Sequence, residues 1–498
     1  MGKFLLTGIA MVAWFMAGAS LNAQGESNDG TPFAAPALAM PAASGGQLSS
    51  GGQGSETPAS SPLPADQPMP PLSGVESFSL GSATGARSGF FPSFGYAGGV
   101  DTNALETVGH HKTDYSSAFV WDLGLQRVKR TSQFNLDYAG GEVLYTYPLT
   151  FGTPENPHFA FGYDRLSLAE RISLRRWSFK LFDNFSYLPE AMFGFGGFAG
   201  LGDFGARGAT GLGEGAFADG STLESGLTLG QTILTGRART LDNLATGEVD
   251  YRASARSELT AAGGLGSLQY IGSGLSDSNY WLFLAGYDYQ LTRRDEIGVI
   301  YLDALLTFHG INNERLIRGF ELAYGRQVTD KLALKLAAGP LESTFAKPLG
   351  GSVTNGFWST HDSLEYLFGQ TGLRASFTRM VTNGAGVLLG AETSLFTLGV
   401  DHSFKRRLSG SLDFGYAYNQ SLSPLTSTMS VAKFATYTGS ASLNRLVGRH
   451  MRLFINYMFD RQESNNPISF SSGTPGRLFW RQMGTAGIIW ERRPKSGE

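Results

Sequence analysis

The feature that most narrows the folds open to this chain is a two-residue alternation of apolar with polar or small side chains, which returns repeatedly after about residue 90. In Phe119, Trp121, Leu123 and Leu125 the apolar residues take every second place, with Val120, Asp122, Gly124 and Gln126 between them. The same holds for Trp177, Phe179 and Leu181, for Trp281, Phe283, Ala285, Tyr287 and Tyr289, and for Leu332, Leu334 and Leu336. Near the end it holds for Leu412, Phe414, Tyr416 and Tyr418, then for Leu453, Ile455, Tyr457 and Phe459. Successive side chains of a strand point to opposite faces, so this period means strands with one apolar face. Many such strands with no helical pattern between them predict an all-β protein.

The apolar faces could point into a soluble core or out into lipid, and three observations favour lipid. The runs are about 10 to 13 residues long, nearer the 9 to 11 of a membrane-crossing strand than the 5 to 6 of a globular one. Their polar faces carry small residues such as Gly124, Gly286, Gly298, Gly319, Gly399 and Gly415. Aromatic residues crowd the strand ends at Tyr138, Tyr287, Tyr289, Tyr416, Tyr418 and Trp490, as interfacial girdles do. Composition agrees: 16% of residues are charged, against roughly 25% in an average soluble protein. The absence of Cys excludes a disulfide scaffold, Cys-ligated zinc and iron–sulfur clusters. A net charge of -3 carries no basic footprint for nucleic acid.

Connections alternate in length, and this sets the strand count. Short polar turns are expected at 128–132, 174–176, 255–257, 293–295, 328–331, 367–370, 405–407 and 444–450, with longer Gly-, Asn-, Ser- and Pro-rich segments between them at 101–114, 148–158, 188–225, 272–278, 309–315, 341–360, 381–387, 420–431 and 461–476. Eight hairpins with an opening and a closing strand predict a transmembrane antiparallel barrel of 18 strands. Sixteen is the second choice, since Ser363 to Tyr366 and the opening strand alternate weakly. An even count places both termini on the short-turn side.

The N-terminus has a basic start at Lys3, an apolar run from Phe4 to Gly18 and small residues to Ala23, the pattern of a cleaved signal peptide over residues 1–23. The run is too short to span a bilayer as a helix. Residues 24–89 are rich in Pro, Ser, Gly and Ala without a periodic apolar face, so a disordered periplasmic linker is expected, serving either as a solvated tether or as a ligand for a periplasmic partner. The barrel is expected over 90–491, with a tail at 492–498.

Three phrases carry a family likeness: Asp183-Asn184-Phe185-Ser186-Tyr187, the run from Asn383 to Glu392, and Gly99-Val100-Asp101-Thr102-Asn103. With these, residues 90–490 resemble a family of uncharacterised, porin-like outer-membrane β-barrel proteins of Gram-negative bacteria. The resemblance implies location and fold, and by analogy a pore or an export function; it implies no catalytic residues.

A barrel of this size leaves a water-filled lumen. Strand phase predicts that Asp122, Asp137, Lys180, Glu248, Asp250, Asp288, Glu321, Lys335, Arg374, Asp413, Arg452 and Arg481 line it, a mixed wall suited to small polar solutes with at most weak cation preference. The plainer reading is that these side chains pair across strands and hydrate the wall. The longest connection, from Leu188 to Gly226, mixes glycines with Phe193, Phe195, Phe198 and Phe204, either to narrow the pore or as a surface loop. Scattered histidines, with only His361 and His402 near walls, and the lack of a nucleophile-elbow or zincin motif argue against an enzyme, a metal or a cofactor. The leading function is a passive porin-like channel in outer-membrane lipid. Alternatives are the outer-membrane part of a polysaccharide export machine, or a structural or adhesive barrel. Gly247, Gly439, Ala441 and Ala486 are candidates for a smooth patch in a homotrimer.

Overall fold

The computed structural model describes residues 72–73, 88–103, 113–146, 160–188, 232–233, 239–271, 275–309, 313–346, 352–405, 407–422, 431–468 and 476–492. The signal segment, most of 24–89, nearly all of the tail and the four candidate loop phenylalanines lie outside these residues. The described residues form eighteen strands. They are β1 (Gly89–Asp101), β2 (Asp114–Val128), β3 (Ser132–Tyr145), β4 (Ala160–Ser173), β5 (Trp177–Leu188), β6 (Arg239–Arg252), β7 (Ser257–Ile271), β8 (Ser278–Gln290) and β9 (Asp295–Phe308). They continue as β10 (Asn313–Thr329), β11 (Leu332–Ala346), β12 (Ser352–Phe368), β13 (Thr371–Thr382), β14 (Ala391–Lys405), β15 (Leu408–Ser421), β16 (Lys433–Val447), β17 (Met451–Ile468) and β18 (Gly476–Glu491).

Each strand pairs antiparallel with its neighbours in sequence, and β1 closes the ring on β18 from Ser93↔Glu491 to Asp101↔Met483. Closure removes every sheet edge, which is what a bilayer requires of a β-structure. The eight short turns fall where the sequence places them. The strands are longer than the alternation suggests, from 12 residues in β5 and β13 to 18 in β17. Three expected loops shrink in consequence: 341–360 to 347–351, 461–476 to 469–475, and 309–315 to 310–312 with its flanks. The ladder continues past the apolar band, where polar side chains hide the alternation but backbone groups still pair. The β5–β6 connection, expected over 188–225, lies almost wholly outside the described residues, and β6 begins at Arg239.

Register fixes which side chains face in. From β1 to β18 the outer face carries Phe94, Tyr96, Phe119, Trp177, Leu265, Trp281, Leu322, Trp358, Leu412, Ile455 and Trp490, all exposed. Several outward charged groups have partners: Asp164 accepts from the Tyr138 hydroxyl at 2.6 Å, Asp183 from the Asn243 amide at 3.0 Å, and Arg318 lies 3.3 Å from Asp303. A predominantly apolar exterior is the surface lipid tolerates.

Candidate functional site

The inner face of the ring collects ionisable side chains. All twelve wall candidates occupy inward register positions: Asp122 and Asp137 on β2 and β3, Lys180 on β5, Glu248 and Asp250 on β6, Asp288 on β8, Glu321 and Lys335 on β10 and β11, Arg374 on β13, Asp413 on β15, Arg452 on β17 and Arg481 on β18. The structure draws them into local groups rather than one ring. On adjacent strands, Lys180 Nζ bonds Glu248 and lies 3.0 Å from Asp250, which also accepts from the Thr260 hydroxyl at 3.1 Å. Arg374 pairs with Asp401 at 2.8 Å, and Asp413 accepts from Ser440 at 3.3 Å. Arg452 pairs with Glu491 at 2.9 Å. Arg481 grips Asp101 across the closing seam, with Nη2 2.6 Å and Nε 3.1 Å from the same oxygen.

Lys335 is the unusual member. Its Nζ is buried without a hydrogen bond and sits among the carboxylates of Asp288, Glu321, Glu296 and Glu248. Glu321 in turn meets His361 Nδ1 at 3.1 Å. His402 faces out, with Nδ1 2.8 Å from the Thr371 hydroxyl and its ring edge-on to Phe404.

Sequence reasoning missed further inward groups. Asp101, Asp114, Asp242, Glu258, Glu296, Glu365, Asp401, Asp460 and Glu491 share the inner register with the bases Arg165, Arg171, Arg252 and Arg315. Several sit at strand ends where the sequence pattern predicts loop, Asp101 and Arg315 among them. Acids therefore outnumber bases on the wall more strongly than the twelve suggested.

Two connections fold into the long-loop mouth. Between β13 and β14 the segment 383–390 is buried, with left-handed backbone at Gly384, Ala385 (φ 54°), Gly386 and Gly390. Its reach is long: Asn383 donates to the Ser278 hydroxyl at 3.2 Å, the Gly386 carbonyl accepts from Ser276 N at 3.1 Å, and Arg315 Nε donates to the Leu389 carbonyl at 2.6 Å. A Cβ at Gly386 would come within 2.5 Å of the Tyr270 ring. Gly386→Val combines this collision with a backbone that L-residues disfavour. It is expected to speed hydrogen exchange over 383–390 while leaving exchange in β13 and β14 unchanged; equal protection in both proteins would refute the contact.

The second is the end of the β5–β6 connection. Thr232 and Ile233 are buried against strands that lie half-way round the ring from β5 and β6. The Thr232 hydroxyl donates to Asn419 Oδ1 at 2.7 Å, and Ile233 packs with Ala385, Leu388 and Phe434. This stretch lies beyond the 188–226 span that the glycine and phenylalanine pattern singled out.

A closed antiparallel ring, apolar outside and ionisable within, defines a membrane-spanning β-barrel of the outer-membrane type. Solved structures with a similar barrel include a BenF-like porin from Pseudomonas fluorescens Pf-5, at 13% identity over 83% of this chain and 100% of that one with a TM-score of 0.39. OccK2 (OpdF) of Pseudomonas aeruginosa in complex with glucuronate matches at 12% identity over 81% and 98% with a TM-score of 0.40. The outer membrane protein opdK of the same organism matches at 10% identity over 82% and 100% with a TM-score of 0.37. No protein-family model and no curated protein sequence matches the chain.

Proposed function

We propose that this chain is a passive outer-membrane channel for small polar solutes, narrowed at its long-loop mouth and preferring cations. The observation that carries the reading is the inward convergence of charged side chains within a ring whose outside is apolar. Hydrophobic stabilisation alone would not put Lys180, Glu248, Asp250 and Arg481 inside, because buried charge is costly unless it is paired or lines a polar space. In this reading the half-buried wall residues Asp137, Arg374, Asp413 and Arg452 face the path, the buried ones brace the wall around it, and the segments 383–390 and 232–233 set its width. The outer faces around Gly439, Ala441 and Ala486 would supply a flat wall for packing in a trimer.

The test is a planar bilayer holding the purified protein under a salt gradient. Discrete conductance steps are expected, with a reversal potential displaced toward that of the cation, because acids exceed bases on the wall. An anion-selective reversal potential would overturn the filter, and the absence of any conductance step from the folded, inserted protein would overturn the channel.

A further inference from the structure

The two ends of the barrel differ in charge. Towards the long loops, described outward bases sit beside acids: Arg318 by Asp303, Arg379 by Glu392 and Arg461 by Glu463. The short-turn rim is basic. Three of its turns carry two exposed bases each, Lys129 with Arg130, Arg175 with Arg176, and Arg293 with Arg294. The β6–β7, β10–β11, β14–β15 and β16–β17 turns carry at least one more apiece, and the β12–β13 turn, Gly369-Gln370, has none. Among the described turn residues the one acid is Asp330, 3.3 Å from Arg294.

The aromatic belt shows where this rim lies in a bilayer. On the outer face at this end, Trp177 packs on Tyr251 at 4.4 Å between ring centroids, and Trp490 stacks on Phe94 at 6.2 Å. Trp and Tyr rings settle at the level of the lipid headgroups. Arg176 adjoins Trp177, and Arg492 stands two residues beyond Trp490. At about 3.3 Å per residue these bases lie within about 7 Å of the belt along the chain. The apolar side is marked just as closely. Leu174, Leu291 and Phe404 are exposed within two residues of Arg175, Arg293 and Lys405. Large apolar side chains in these places stay dry when acyl chains reach them, so hydrocarbon ends where the bases begin.

Bases at that depth meet phosphate oxygens. A guanidinium matches phosphate through two parallel N–H donors, and the long stems of Arg and Lys lie along apolar surface while the charge reaches the headgroup. A zwitterionic headgroup brings its own ammonium beside the phosphate and offsets the attraction. An anionic headgroup does not.

We propose that the short-turn rim is a lipid-binding surface, on which a ring of Lys and Arg holds the phosphates of anionic phospholipids in the leaflet at that end of the barrel. The surface belongs to the exterior and is independent of whether the lumen conducts.

The test uses the full-length protein folded into phosphatidylcholine bilayers with a trace of spin-labelled lipid, the fraction of label immobilised at the barrel surface being read by electron spin resonance. Labelled phosphatidylglycerol is expected to associate with the wild type about threefold better than labelled phosphatidylcholine, or better still. In about 1 M NaCl, where charges are screened beyond about 3 Å, the preference falls towards unity. The combined variant Lys129→Gln/Arg130→Gln/Arg175→Gln/Arg176→Gln/Arg293→Gln/Arg294→Gln is expected to lose at least half of the excess. Replacing the same five arginines by lysine (Arg130→Lys/Arg175→Lys/Arg176→Lys/Arg293→Lys/Arg294→Lys) is expected to keep most of it, because the charge stays. Equal association of the two lipids with the wild type overturns the proposal and leaves the rim to an acidic protein partner. An undiminished preference in the Gln variant, with its fold shown by mobility on unheated gels, overturns the rim as the seat of binding. Should that variant not fold, the wild type in salt decides, and a preference unchanged there overturns the phosphate contact.

Discussion

Arg481→Met is expected to destabilise the reconstituted barrel by about 3–5 kcal/mol, the cost of removing one partner of a buried ion pair. Asp101 and Arg481 have side-chain exposures of 1% and 4%, so neither charge can fall back on water. The guanidinium holds the carboxylate through Nε and Nη2, and the Tyr145 hydroxyl reaches the same carboxylate at 3.2 Å. Three strands therefore meet on one charge: β1, β18 and β3. The position matters as much as the chemistry, because β1 and β18 form the closing seam of the ring, and an open seam exposes unpaired backbone in lipid. Urea unfolding in liposomes, with the shift between folded and unfolded bands on unheated gels as readout, would measure the loss. The double variant Arg481→Met/Asp101→Leu is expected to recover part of it, since no orphan carboxylate remains. A single-variant loss below about 1 kcal/mol, the level of a solvated surface pair, would show that the seam charge is hydrated.

Much of this architecture is legible in the residues, for a physical reason. Lipid on one side and a polar lumen on the other impose period two on every strand, so Trp281, Phe283 and Tyr287 announce their outward face and Asp288 its inward one without knowledge of their neighbours. The turn positions are legible because tight polar hairpins at 174–176 or 369–370 interrupt the alternation abruptly. Strand ends are not: around Gly339-Pro340 and in the stretch from Arg461 to Ile468 the side chains turn polar, while the ladder continues from Pro340↔Trp358 to Ser343↔Asn355 and from Arg461↔Trp480 to Glu463↔Leu478. Ion pairs are hidden for another reason. Lys180 and Glu248 are brought together by the pairing of β5 with β6 across a long connection, and neither residue signals its partner locally. The seat of Leu72 and Ser73 on the inner wall is least legible of all: Leu72 packs in the apolar cluster of β8 and β9, and Ser73 N–H donates to Asp288. Their sequence is indistinguishable from the rest of a Pro-, Ser- and Gly-rich stretch, and the signal lies elsewhere, in Gly286 and Gly325 of the wall and in the inward apolar stripe of Leu282, Leu284, Ile300 and Leu302 on β8 and β9.

That stripe makes the outer face the decisive surface, because a wall apolar on both sides could in principle be turned either way. Leu322→Arg tests the orientation. Leu322 lies mid-way along β10 with 71% of its surface exposed, beside Phe320, whose ring packs tilted against Tyr301 at 5.0 Å between centroids. If this face meets hydrocarbon, an arginine there must leave water for the bilayer midplane, at about 2–4 kcal/mol. If it meets water, replacing an exposed leucine by arginine changes stability by about 0.5 kcal/mol or less. The two settings differ by a margin that a folding titration into liposomes resolves. Thr344→Arg is the matched control, since Thr344 faces the same way near the long-loop rim of β11, where arginine costs only about 0–1 kcal/mol. A large loss at Leu322 with a small one at Thr344 is the expected pair of results. Equal small losses at both would remove lipid from the outer face, and the apolar ring of Trp281, Leu322, Trp358 and Ile455 would then need a protein partner to cover it.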